Sequence, residues 1–461
     1  MDRREMLRRS CLSFGTLALT WLLGEERKLF AAGSKSPFPL TAKGPAKRVI
    51  LLHMGGGPSH VDTWDPKPEL AKLQGKDVPE SVAKGVPMNR RLRLQNIYGC
   101  PFEFKRYGQS GIAVSDLFKE TARHVDDLCV IRSLRHDSPI HTPAEYIALT
   151  GSMTGARPTL GAWLYYGLGT ANQNLPGFIV MTAGENFSGP AIWSSGFLPA
   201  RYQGTPVKAS EGIPHIKMPA GFTDADRRAQ LDLIGKLNQR HLERHGSHSE
   251  LEARIASYEL AFRMQMAAPE AFDLKEESEA TRKLYGLDQK ECAEYGTNCL
   301  LARRLIERGV RFVQLNQGGW DAHGDLKGNH EKQARLVDRP IAGLLADLKA
   351  RGLLRDTLVI WGGEFGRTPT AEGNGKNPGR DHSPTGYTMW LAGGGVKGGQ
   401  VIGATDDIGY TVVNRPVHPN DFHATILKAL GIDQHELYYE HQNRQEWVTV
   451  NGADFIPEVF G

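Results

Sequence analysis

Cysteine is scarce in this chain: there are five in 461 residues, and none stand as a Cys-x-x-Cys pair. That argues against a zinc site built from thiolates. Cys100, Cys129, Cys292 and Cys299 would permit a disulfide in an oxidising compartment without requiring one. An excess of one charge is missing too: 56 basic residues stand against 52 acidic ones, too even a balance to argue for nucleic acid or another strongly charged partner. The apolar stretch from Cys11 to Leu23 falls well short of the roughly 20 residues of a membrane span. There is no internal repeat and no low-complexity tract.

What is present begins with an address. Arg3-Arg4-Glu5-Met6-Leu7-Arg8, placed before that apolar stretch, resembles a twin-arginine export signal. Residues 1–32 are expected to be a signal peptide, with the mature chain periplasmic or extracytoplasmic. Proteins on that route fold before they cross, often with a cofactor already seated.

Apolar runs of strand length then alternate with amphipathic helical ones. Arg48 to Met54, Leu128 to Ser133, Phe178 to Met181, 310–315, 357–361 and Tyr387 to Leu391 read as strands, with helical patterns at about 291–308 and 330–351. The alternation predicts an α/β fold with a parallel sheet covered on both faces. A polar segment of helical period at about 223–280 reads as a helical insertion, with Leu231, Leu233, Ile234, Leu237 and Leu242 on one face and Leu251, Ile255, Leu260 and Phe262 on another. Asn186 to Pro219, rich in Gly, Pro and Ser, reads as a long functional loop.

The chemistry gathers behind the strands. The first is followed by Gly55-Gly56-Gly57-Pro58-Ser59-His60-Val61-Asp62-Thr63-Trp64-Asp65, a turn able to aim backbone N–H groups at an anion, with acids and histidines beside it. The same residues also make a tight turn capped by Asp62 and Asp65. In Ile140-His141-Thr142-Pro143-Ala144-Glu145, Thr142 is placed as a helix N-cap, Pro143 at the first helical position and Glu145 to complete a capping box. A hydroxyl there could also serve as a nucleophile favoured by the helix dipole. Asp321 and His323 follow a third strand and project to one side if extended; Glu364 follows a fourth, and Asp381-His382 come soon after. Carboxylates mixed with imidazoles suit zinc, manganese or iron, and carboxylates alone suit calcium or magnesium.

Gly55 to Pro68, Gly319-Trp320-Asp321-Ala322-His323 and Gly363-Glu364-Phe365-Gly366-Arg367-Thr368-Pro369 together resemble the exported bacterial family called domain of unknown function 1501, over roughly 45 to 435. That family is placed in the alkaline phosphatase and sulfatase-like superfamily. The resemblance implies a three-layer alkaline phosphatase-like α/β core at 45–435, with a central mostly parallel sheet and the helical insertion, followed by a C-terminal extension at 436–461. It implies a divalent metal held by Asp62, Asp321, His323, Glu364, Asp381 and His382. Thr142 would be the nucleophile, and Arg367 or Arg380 would neutralise developing charge. The implied activity is hydrolysis of a phosphate or sulfate ester, on a small molecule or a glycan. Two departures stand out. Glu364-Phe365 occupies the place of an Asp-His pair, and Cys129-Val130-Ile131-Arg132 lacks the proline of a formylglycine motif, which disfavours that class of sulfatase. The alternative is a non-catalytic exported binding or structural protein with a degraded metal site.

Overall fold

The computed structural model describes residues 40–86, 94–184, 187–209, 223–245, 270–373 and 375–461. The signal segment and the expected helical face at Leu251, Ile255, Leu260 and Phe262 lie outside the described residues.

Eight strands form the central sheet: β1 (Arg48–Met54), β2 (Leu128–Leu134), β3 (Phe178–Ala183), β4 (Thr205–Val207), β5 (Phe312–Gln317), β6 (Thr357–Gly362), β7 (Tyr387–Ala392) and β8 (Gln400–Ile402). Their order across the sheet is β8-β2-β7-β6-β1-β5-β3-β4. All neighbours pair in parallel except β7, which runs antiparallel to both β6 and β2. The expected three-layer, mostly parallel architecture is the one observed. The reversal of β7 has a local cause: the described residues of 363–386, between β6 and β7, contain no helix to carry the chain back across a face.

Strand periodicity decides which helix layer each side chain meets. On β1, Ile50, Leu52 and Met54 pack with α4 (Ala293–Glu307) and α5 (Leu326–Ala350). Val49 and Leu51 face the opposite layer with α2 (Leu160–Leu168) and α6 (Pro419–Ala429). Burying each such side chain contributes about 1.5–3 kcal/mol. By the same alternation His53 lies on the Leu51 side, where α1 (His141–Thr150) approaches.

Two local expectations differ from what is observed. The glycine- and proline-rich stretch after 186 supplies the edge strand β4; Pro206 is tolerated there because an edge strand leaves half its backbone groups unpaired. In α3 (Asp224–His245), Leu231 is buried, whereas Leu233 and Leu237 are 58% and 55% exposed. Two residues turn a helix by about 200°, so 233 and 237 share a stripe that 231 does not. Residues 436–461 pack onto the core through the buried Leu437, Val448, Ile456 and Val459. Cys100, Cys129, Cys292 and Cys299 are free thiols. Among the described residues, no helix is long and apolar enough to cross a membrane.

Candidate metal centre

The carboxyl ends of β1, β2, β5 and β6 and the amino end of β7 share one edge of the sheet, and the loops leaving that edge bring four side chains together. These are His141, Asp321, His323 and His382, whose ligand atoms lie within 4.8 Å of one another. Asp321 is the hub. Its Oδ1 is 3.0 Å from His323 Nε2 and 3.2 Å from His382 Nε2, and its Oδ2 is 3.3 Å from His141 Nε2. The two imidazole Nε2 atoms of His323 and His382 are 2.9 Å apart.

The far side of each ring is also fixed. His141 Nδ1 donates to Glu364 Oε1 at 2.6 Å, His323 Nδ1 to Glu372 Oε2 at 2.6 Å, and His382 Nδ1 to the Pro139 carbonyl at 2.6 Å. Because each Nδ1 faces an oxygen acceptor, each carries a proton there, and the Nε2 atoms all turn inward. Lone pairs and a carboxylate crowded at 2.9–3.3 Å repel one another unless a cation lies among them. These separations also match the edge of a tetrahedron, about 3.3 Å, around an ion bonded at about 2.0 Å. Buried His141 Nε2 has no hydrogen-bond partner. On all three counts the donor set fits a divalent ion.

In the ion-free chain these charges are strongly coupled. Burial would lower the pKa of His141, but the Asp321 and Glu364 carboxylates beside it outweigh that and raise the pKa to about 9, so that without an ion a second proton on the ring takes the cation's place. Burial works to raise Asp321, yet the imidazoles of His141 and His382 and the Arg367 guanidinium beside it hold it far below the usual carboxylate range. The side chains of His323 and Asp321 are 41% and 26% exposed, so the centre opens to solvent on one side.

Of the residues expected to bind metal, Asp321, His323 and His382 are brought together. Glu364 stands behind His141; it is wholly buried and also accepts from Gly56 N at 3.0 Å. The glycine turn therefore aims its N–H at a protein carboxylate. Asp381 groups with His323 and Glu372 at the rim and accepts from the His382 backbone N–H at 2.8 Å. Asp62 is elsewhere: with no exposure, it pairs with Arg380 Nε at 2.7 Å and accepts from Ser59 Oγ at 2.5 Å. Arg380, also buried, is thereby drawn into holding the loop after β1 through Asp62.

Arg367 is equally buried. It reaches Asp321 Oδ1 at 2.5 Å and donates to the carbonyls of Gly56, Gly57 and Arg380, so it positions Asp321. Phe365 ligates nothing; its ring lies 4.5 Å from that of His382 and 4.9 Å from that of His141, forming an apolar floor. Thr142 does not cap α1. The helix begins at His141 behind Ile140, without a side-chain cap, and this turns His141 into the cluster. Glu145 does not reach back to complete a capping box either. It sits near His53, with Nε2 to Oε1 at 3.6 Å, and accepts from Ser188 Oγ. His53, Glu145 and Glu364 form a second, wholly buried group of potential ligands beside the first.

A family profile described as protein of unknown function (DUF1501) matches residues 46–460. The chain belongs to this DUF1501 family. No curated protein sequence matches this DUF1501 chain. Among solved structures it is similar to Ps i-CgsB in complex with k-i-k-neocarrahexaose, with 10% identity over 86% of this chain and 74% of that one and a TM-score of 0.38. It is similar to the PsFucS1 sulfatase from Pseudoalteromonas sp., with 14% identity, 85% and 68% coverage and a TM-score of 0.33. It is also similar to the alkaline phosphatase of the Antarctic bacterium TAB5, with 10% identity, 84% and 99% coverage and a TM-score of 0.32.

Proposed function

We propose that this DUF1501 protein is a metal-dependent hydrolase of phosphate or sulfate esters. A divalent ion would be held by His141, Asp321, His323 and His382. One observation carries this reading: each of the three imidazoles is anchored through Nδ1 on an oxygen acceptor and turns its Nε2 toward a single carboxylate. A bound cation supplies Lewis-acid polarisation of an ester oxygen.

The chain's own residues do the positioning. Glu364 and Glu372 set the tautomers of His141 and His323, Arg367 holds Asp321 in place, and Phe365 keeps water from beneath the rings. Thr142, next to His141 in the first turn of α1, is the proposed nucleophile, with a water molecule as the alternative. The twin-arginine segment supports export to the periplasm or another extracytoplasmic space, and the small-molecule or glycan nature of the ester belongs to the same proposal.

The test is metal analysis of the purified mature protein followed by an ester panel. Near-stoichiometric divalent metal, lost in His323→Ala and His382→Ala, is the expected result. Reconstituted protein that retains no ion would refute the reading. A metal-loaded protein inert toward aryl phosphates, phosphodiesters and sulfate esters would favour the binding-protein alternative. Activity that survives Thr142→Val would assign the attack to water.

A further inference from the structure

An exposed aromatic ring lies flat on one of the cluster's imidazoles. Phe187 stacks on His141 with ring centroids 3.7 Å apart and planes within 2° of parallel, while remaining 46% exposed. Its neighbour Ser188 donates through Oγ to Glu145, one helical turn behind His141, so this stretch of chain is fastened to α1 at two points. Ile140, immediately before His141, is 64% exposed. Two large apolar side chains thus stand open to water beside a centre whose candidate ligand atoms are carboxylate oxygens and imidazole nitrogens. Trp447, another exposed aromatic side chain, belongs instead to a hairpin strand at Arg444–Trp447.

Exposing a fixed aromatic face costs solvation free energy and gives the fold nothing on its outer side. A ligand that covers the face recovers that term, and the ring, already held by His141, loses little freedom in the process. Flat ring faces, whether of an aryl group or of the C–H side of a pyranose, are the complementary shape.

Resting on the hydrolase reading above, we propose that Phe187 is a specificity-determining residue. Its outer face would seat the ring of a ring-bearing phosphate or sulfate ester whose anionic group meets the cluster, with Ile140 lining the same rim. Phe187 then discriminates between substrates without touching the reacting bond.

The test is calorimetric titration of the zinc-reconstituted protein with benzylphosphonate, cyclohexylmethylphosphonate and ethylphosphonate. The ring ligands should bind at least about 5-fold more tightly than ethylphosphonate. Phe187→Ala should reduce that preference to under about 2-fold, and Phe187→Trp should keep it, with metal content and ethylphosphonate affinity unchanged. A preference for both rings points to sugar-like as well as aryl esters; a preference for benzyl alone points to aryl esters. Wild-type protein with no ring preference, or a preference that survives Phe187→Ala, would overturn the assignment while leaving the hydrolase reading intact. Loss of the ion in Phe187→Ala would make Phe187 a support for His141 and would equally overturn it. Failure of every phosphonate to bind would remove the anion site, and the assignment with it.

Discussion

His141 Nδ1 and Glu364 Oε1 stand 2.6 Å apart, and this contact determines which nitrogen of the imidazole faces Asp321. Glu364→Gln keeps the shape but weakens the acceptor. Metal affinity should fall about 10–100-fold, measured by competition with a chromophoric chelator. His141→Ala should weaken binding further, because it removes a ligand outright. Unchanged affinity in both variants would show that the ion, if bound, sits elsewhere.

Asp62 and Arg380 form an ion pair in which both side chains are fully buried. Removing one partner leaves the other charge stranded, at a cost of about 3–5 kcal/mol. Asp62→Ala and Arg380→Ala should each lower the denaturation midpoint sharply while the folded fraction keeps its metal stoichiometry. Loss of the ion from Asp62→Ala without loss of stability would return Asp62 to the ligand set.

Gly56 adopts φ +109°, and a Cβ placed there would sit 2.5 Å from the Asp321 backbone nitrogen. Gly56→Ala therefore meets backbone as well as an unfavourable dihedral. It should destabilise by more than about 1 kcal/mol, read from thermal unfolding. Since Asp321 is the hub, metal affinity should fall as well. Neutral behaviour in both assays would mean that the two loops do not touch as described.

Burial depresses His423 to about 4 and His330 to about 3, although the Ala148 carbonyl bonded to His423 and the charge of Asp62 near His330 pull the other way. Both rings stay neutral in the folded chain, whereas the unfolded chain takes up protons near pH 6.5. Stability from these sites is complete above that pH and drains away as pH falls through 6.5 toward 4 for His423 and toward 3 for His330. The slope is about 1 kcal/mol per pH unit for each ring within its window. Urea unfolding at pH 7.5, 6 and 5 should show this decline, and His423→Asn should flatten its share; an unaltered slope in that variant would reject the assignment.

Much of the fold was legible because β1 and β6 carry continuous apolar runs, Val49 to Leu52 and Leu358 to Trp361, the pattern of strands buried on both faces. β4 was hidden by Pro206 and its glycine-rich surroundings, and the direction of β7 could not be read from its own residues, since direction depends on the connection. That Asp321, His323 and His382 lie together was legible because Asp321 and His323 follow one strand end and Asp381-His382 come soon after another. His141 was missed because Thr142 made a plausible helix cap; the start of α1, one residue earlier, decided which side chain faced inward. Glu372 carries no signal in its sequence neighbourhood. The pairing of Asp62 with Arg380 spans most of the chain and follows only from the folded topology.

The four proposed ligands come from three stretches of polypeptide, around 141, around 321 to 323 and at 382, and the sheet registers them. No short peptide of this chain contains the centre, so an ion cannot be captured during synthesis and carried into the fold. It can be chosen only where the sheet closes. If the chain is exported already folded, the metal content of the cytoplasm, rather than that of the destination, decides which ion the protein carries.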